Sequence, residues 1–207
     1  MNDTARAGDR VSIPASVLAI PRGSLVVLVG PAGAGKTTFA QARFRPTEIL
    51  SSDAFRAMLA DDETNQRVNG AAFELLHLAV AGRLAGGRLT VVDATNVTHE
   101  TRRALVDLAR AARRPAVAIV FDLPEAEYQA RNGRRPGRAV DAAVVARQAN
   151  QLRQTLGRDG LTGEGFESIY VLRTPDEIEG TRTELVGRRR TIGSSRSPTA
   201  PTRFARR

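Results

Sequence analysis

Residues 30–38 read Gly30-Pro31-Ala32-Gly33-Ala34-Gly35-Lys36-Thr37-Thr38, a glycine-rich loop closed by a lysine and two hydroxyl side chains. The pattern is G-x-x-x-x-G-K-[ST]. It follows a continuous apolar run, Ser24 to Val29, and opens a segment of helical character, which is the context in which such a loop cradles phosphates. Its glycines let backbone N–H groups turn inward as an anion nest, and a helix N-terminus adds partial positive charge. The chemistry implied is nucleoside triphosphate binding, with Lys36 reaching the β- and γ-phosphates and the Thr37 hydroxyl ligating Mg²⁺. Composition singles out the same place. Of 31 basic residues, Lys36 is the one lysine and the rest are arginine. A compact ammonium on a flexible stem suits this loop, where a planar guanidinium fits poorly.

Other chemistry-bearing residues sit where strands are expected to end. Ile49 to Ser51 leads into Ser52-Asp53, with Arg56 three residues on. In a parallel sheet the strand C-termini face the ligand crevice. Asp53 is therefore placed to take the proton of an attacking hydroxyl, and Arg56, on the same helical face, to hold an anionic acceptor. A plain N-cap role for Asp53 stays open beside this. A third strand ends in Val91-Val92-Asp93, and Asp93 is positioned to order the metal through water. Alanine follows it, which counts against a motor ATPase. Residues 131–138, Arg-Asn-Gly-Arg-Arg-Pro-Gly-Arg, read either as a solvated basic loop or as a mobile lid over the triphosphate. As a lid, the arginines would neutralise charge on the transferring phosphoryl group.

The elements needed to position these groups alternate. Strands are expected at 24–29, 48–51, 89–93, 116–122 and 168–173. Helices are expected at 36–43, 53–59, 70–84, 98–113, 124–132, 139–156 and 175–179. This is the α/β pattern of a P-loop NTPase/kinase fold: a parallel five-stranded sheet, helices on both faces and a helical lid. Residues 1–12 are expected to be a flexible N-terminus, 13–181 the kinase domain, and 182–207 a basic, disordered tail. That tail holds eight arginines against one glutamate, so most of the chain's net charge of +9 belongs to it.

The chain has no cysteine, which excludes a disulfide framework and thiolate-bound zinc. The two histidines, His77 and His99, are too few for a histidine metal centre. No apolar run approaches the ~20 residues that span a bilayer. Val11 to Ile20, broken by Pro14 and Ser16, is neither a signal segment nor an anchor. The expectation is a cytoplasmic protein without membrane contact.

Six segments taken in order make the reading more specific: SLVVLVGPAGAGKTTFA, ILSSDAFR, DDETNQRVNGAAFELLH, LTVVDATNV, VFDLPE and ARNGRRPGRAV. Together they resemble the kinase domain of bacterial polynucleotide kinase–phosphatase, an RNA-repair enzyme. The resemblance implies transfer of the ATP γ-phosphate to a 5′-hydroxyl end of RNA or DNA. By motif position, Asp53 is similar to that family's general base and Arg56 to its contact with the acceptor's 3′-phosphate. Lys36 and Thr37 are similar to its P-loop pair, and Arg131 and Arg135 to its lid arginines. The implied donor is ATP or another nucleoside triphosphate with Mg²⁺. The implied partners are nucleic-acid 5′-OH ends and separate phosphatase or ligase repair proteins. Two other functions stay open. One is a small-molecule kinase on the same scaffold. The other is a nucleotide-dependent ATPase or switch protein with a binding role. Few aromatic residues are available to stack bases, so end recognition is expected to run through phosphates.

Overall fold

A computed structural model of the chain describes residues 17–134, 137, 139–157 and 161–187. Along the chain it places β1 (Val17–Pro21), β2 (Leu25–Val29), α1 (Lys36–Arg43), β3 (Ile49–Ser51), α2 (Ser52–Ala60) and α3 (Asn69–Ala85). Then come β4 (Thr90–Asp93), α4 (His99–Ala111), β5 (Ala116–Phe121), α5 (Glu125–Gly133), α6 (Ala142–Leu156), β6 (Ser168–Leu172), α7 (Pro175–Gly180) and β7 (Arg182–Val186). Every element expected from the sequence recurs within three residues of its expected bounds.

Five strands form one parallel sheet in the order β3-β4-β2-β5-β6. The central β2 is buried along its whole length, as a strand covered on both faces must be. Its side chains alternate between two cores. Val26 and Leu28 face a cluster with Phe39 and Ala40 of α1, Tyr128 of α5 and Ile178 of α7. Leu25, Val27 and Val29 face a cluster with Leu76 and Val80 of α3 and Leu105 and Ala109 of α4. Each fully buried aliphatic side chain of this kind contributes about 1.5–3 kcal/mol. Helix α6 reaches both cores, through Val145 and Ala149 on one side and Leu152 on the other. This is the P-loop kinase fold that the alternation of elements implied.

The tail boundary is corrected. Residues 182–186, expected to be disordered, form β7, which pairs in parallel with β1 from Val17↔Arg182 to Pro21↔Val186. The pair makes a separate two-stranded sheet. Leu18 and Ile20 of β1 are fully buried in the first core. Arg43, at the end of α1, stacks over Phe39 at 4.1 Å. It donates to the carbonyls of Ile178, Glu179 and Thr181 at 2.6, 2.9 and 2.7 Å, which fixes the chain just before β7. The strand forms because its backbone is paired and its approach is clamped, not because its side chains are buried. Residues 1–12 and 188–207, and the arginines at 135 and 138, lie outside the described residues. No described helix is long and apolar enough to cross a membrane.

Candidate active site

The phosphate loop lies between the buried end of β2 and α1. Gly33 and Gly35 have φ of 82° and 91°, which only glycine adopts without strain. At Gly33 the reason is also steric: a Cβ there would sit 2.4 Å from the Tyr128 carbonyl oxygen of α5. The loop is thus pressed against α5. Helices α2, α4, α6 and α7 each begin with a side-chain cap, from Ser51, Thr98, Asp141 and Thr174. Helix α1 begins at Gly35 with no side-chain cap and no acidic residue in its first turn. An anion is the complement of such an end.

Lys36 is buried and its ammonium donates to the carbonyls of Gly30 and Pro31, both at 2.8 Å. The amine is folded across the mouth of the loop that carries it. Thr37 donates its hydroxyl to Asp93 Oδ2 at 2.7 Å. Asp93 ends β4 and is 4% exposed. Among the described residues, no group of three or more His, Cys, Asp or Glu could hold a metal. A hydroxyl and one carboxylate, with most of the shell left to phosphates and water, are the donor set that suits Mg²⁺.

Strand register brings Asp53 to the same edge. Ser51 of β3 lies opposite Asp93 of β4, and Asp53 is two residues further on. Its amide is capped by the Ser51 hydroxyl at 3.3 Å, so the N-terminal role left open by the sequence belongs to Ser51. The Asp53 carboxylate remains about one-third exposed. It accepts from the Ser52 hydroxyl at 3.3 Å and forms an ion pair with Arg56. Arg56, expected to meet the acceptor, is largely inside: it is 8% exposed. It donates to Asp53 Oδ1, to the Glu63 carbonyl at 2.8 Å and to Asn69 Oδ1 at 2.8 Å. Three of the five N–H groups of a guanidinium are thereby engaged within the protein. Arg56 ties α2 to the start of α3 and aims Asp53.

Arg131 of α5 pairs with Glu127 at 3.6 Å, and its Nη1 would lie 3.2 Å from a Cβ at Gly35. It therefore borders the phosphate loop.

Several supports of the site carry no motif. Gln148 of α6 accepts from the Ala32 amide at 2.9 Å. Asn132 exchanges two hydrogen bonds with the Val140 backbone, at 2.6 and 3.0 Å, which ties the end of α5 to the stretch before α6. The Tyr128 hydroxyl accepts from the Leu123 amide at 2.7 Å and donates to the Phe121 carbonyl at 2.8 Å. Burial pushes its ionisation well above the ordinary tyrosine range. Asn96, with a φ of 47°, donates to the Leu28 carbonyl at 2.8 Å, and Gly30 donates to the Thr95 carbonyl at 2.9 Å. Behind it, Arg102 donates to the Asn96 carbonyl at 3.0 Å and pairs with Glu164 through two bonds of 2.6 Å. Asn96 left a trace in the sequence as a residue type that tolerates positive φ after a strand, and Asn132 lay inside the basic 131–138 segment without showing its amide role.

Fold and loop together define a P-loop nucleotide-binding domain of the kinase type. Residues 25–158, more than half of the chain, match the profile of a family described as AAA domain, and the chain belongs to that family. No curated protein matches the sequence. A solved putative kinase from Chloroflexus aurantiacus is similar over 73% of this chain and 88% of its own, at 18% identity and a TM-score of 0.50. A sugar kinase from Janibacter sp. HTCC2649 is similar over 75% of this chain and 90% of its own, at 22% identity and a TM-score of 0.51. Those two likenesses show the fold. A chain of the Pnkp1/Rnl/Hen1 RNA repair complex is similar over 68% of this chain at 25% identity and a TM-score of 0.55. This chain spans 47% of that longer one.

Proposed function

We propose that this protein is an ATP-dependent phosphotransferase that places the γ-phosphate on the 5′-hydroxyl end of RNA or DNA. The observation that carries the reading is Asp53: an accessible carboxylate, aimed by Arg56, on the sheet edge shared by Lys36, Thr37 and Asp93. The similarity to a chain of an RNA repair complex supports the choice of acceptor.

The loop amides and Lys36 hold the donor phosphates, and Lys36 exchanges its two carbonyl partners for phosphate oxygens. Thr37 and Asp93 would hold Mg²⁺, which would supply positive charge to offset that of the donor phosphates. Asp53 takes the proton as the acceptor hydroxyl attacks in line. Arg131, and Arg135 across the lid segment, neutralise the transferring group. In this reading Arg56 serves first to orient Asp53, and the two N–H groups not given to those partners are its means of meeting an acceptor phosphate.

A small-molecule kinase is the competing reading, favoured by the match to nearly the whole length of a sugar kinase. Incubation with γ-labelled ATP, 5′-OH oligonucleotides and small alcohols separates the two. Label is expected on the oligonucleotides, and label on the alcohols alone would sink the polynucleotide reading. Asp53→Ala is expected to slow transfer by about 10²–10⁴-fold while ATP affinity stays nearly intact. Wild-type turnover in that variant would remove Asp53 from the role of base.

A further inference from the structure

The central strand keeps its two neighbours over different lengths. β2 stays in register with β5 as far as Val29↔Val120, but with β4 only as far as Val27↔Val92. The next residue of β4, Asp93, still pairs with Ser51 of β3. β2 and β4 thus part at the residue whose carboxylate accepts from the Thr37 hydroxyl. Beyond that point residues 95 and 96 take the place of the ladder. The Thr95 carbonyl accepts from the Gly30 amide at 2.9 Å, and the Asn96 side chain donates to the Leu28 carbonyl at 2.8 Å. Asn96 therefore spans the parted strands. Its side chain holds a carbonyl two residues before the phosphate loop, and its backbone follows Asp93 by three residues.

Asn96 does this in a conformation that needs support. It is buried, and its φ of 47° lies in the left-handed region. Its carbonyl accepts from Arg102 Nη1 at 3.0 Å. The other arms of the guanidinium, Nε and Nη2, donate to the two Glu164 oxygens at 2.6 Å each. Both side chains are buried, and His99 Nδ1 meets the same carboxylate from the surface at 3.1 Å. Glu164 ends a short turn, Thr162–Glu164, which Leu161 and Phe166 seat on the second core. A buried ion pair adds little stability over apolar side chains of the same bulk, because desolvation offsets the attraction. What a rigid two-pronged pair does supply is direction, and here the remaining arm is aimed at one backbone carbonyl.

We propose that Arg102 and Glu164 are positioning residues of the nucleotide site, acting through Asn96 to keep the ends of β2 and β4 apart and so hold Asp93 against Thr37. This role rests on the reading of the phosphate loop as a nucleotide site and is independent of the acceptor. Without the Arg102 bond, the Asn96 carbonyl loses its buried partner and the residue is released from the left-handed region. Its side-chain bond to Leu28 goes with it, and Asp93 is no longer fixed against Thr37. The loop amides and Lys36 keep their own means of holding phosphate. The loss therefore falls on the Mg²⁺-dependent part of nucleotide affinity and spares the metal-free part.

The test uses the full chain and a non-hydrolysable ATP analogue, with affinity measured by calorimetry in Mg²⁺ and in EDTA beside unfolding in urea. No acceptor is needed, so the outcome stands apart from the choice of acceptor. Arg102→Met combined with Glu164→Leu replaces the pair by apolar side chains. Its urea midpoint is expected near that of the native chain, while the gain in affinity from Mg²⁺ falls by about 10–100-fold. Arg102→Lys keeps a charge opposite Glu164 and gives up the fork; the same direction of loss is expected, and this variant decides if the apolar pair does not fold. Leu152→Ala, in the same core, is expected to lower the midpoint and leave the Mg²⁺ gain unchanged. A native Mg²⁺ gain in whichever of the first two variants folds would overturn the proposal. So would an equal loss in Leu152→Ala, which would make the pair a general brace of the core. A native chain that binds no nucleotide would overturn the phosphate-loop reading itself, and this role with it.

Discussion

The phosphate-loop half of this site and the half around β3 and α2, proposed above to meet the acceptor, are built to different standards. On the donor side, β2 is buried throughout, the loop is wedged against α5 at Gly33, and Lys36 and Asp93 are nearly inaccessible. On the acceptor side, β3 has three residues, none fully buried, and α2 buries only Ser52 and Arg56. Met58 is 72% exposed there and Leu78 of the neighbouring α3 is 71% exposed. The contrast teaches where identity lies. A triphosphate is the same for every member of such a family, so its cradle can be rigid. The acceptor differs between members, and the half proposed to meet it packs on the core through the partly buried Ile49, Leu50 and Phe55, with the polar ties of Arg56 added.

The sharpest way to break this contrast is Lys36→Arg. The substitution keeps the charge, yet a planar fork cannot fold between the Gly30 and Pro31 carbonyls. Phosphoryl transfer should fall by about 10²–10³-fold, the scale of losing one charge-stabilising donor. Near-normal kcat/KM would show the donor half to be more tolerant than its packing implies.

Gly33→Ala comes next. The added methyl meets the Tyr128 carbonyl at a positive φ, at a cost of about 1–3 kcal/mol. A lower midpoint in urea together with a raised KM for ATP is expected; a change in neither would mean that the α5 contact is slack.

The same logic predicts tolerance on the other side. Met58→Ser should change stability by no more than about 0.5 kcal/mol, as exposed positions do. A large loss of stability there would show the acceptor half to be as tightly built as the donor half.

The smallest effect concerns His77 of α3, whose ionisation is pushed below its ordinary value of 6.5 by burial. Between its folded value and 6.5 the unfolded chain binds more protons, so stability should fall slightly as pH drops below 6.5 and recover above it. His77→Gln should flatten that part of the pH–stability curve, and an identical curve would remove His77 as its source.

Much of the donor half was legible in the sequence, because its chemistry is contiguous. Residues 30–38 carry their own loop, lysine and hydroxyl, and the flanking strand and helix follow from periodicity. Asp93 and Asp53 were legible as strand-end acids once a parallel sheet was inferred. Arg56 was legible only as a charge. Its partners, the Glu63 carbonyl and Asn69, come from a polar stretch with no period to reveal its path. Gln148 gave no signal, and Asn132 stood inside the 131–138 motif without its role showing, since a side-chain amide on a helix reads the same whether or not it meets a backbone group. The β1–β7 pair was hidden for another reason. Parallel pairing joins segments from opposite ends of the described chain, and β7 has too little burial to show a strand pattern.

Lys36 has one consequence outside catalysis. It is the sole side-chain amine in the chain, and it is tucked into the loop against two carbonyls. Any reagent that acylates lysine side chains therefore finds a single side-chain target, reachable only while that loop is open. Labelling speed of the peptide that holds Lys36, read by mass apart from the α-amine, becomes a direct clock for loop opening with no engineered probe.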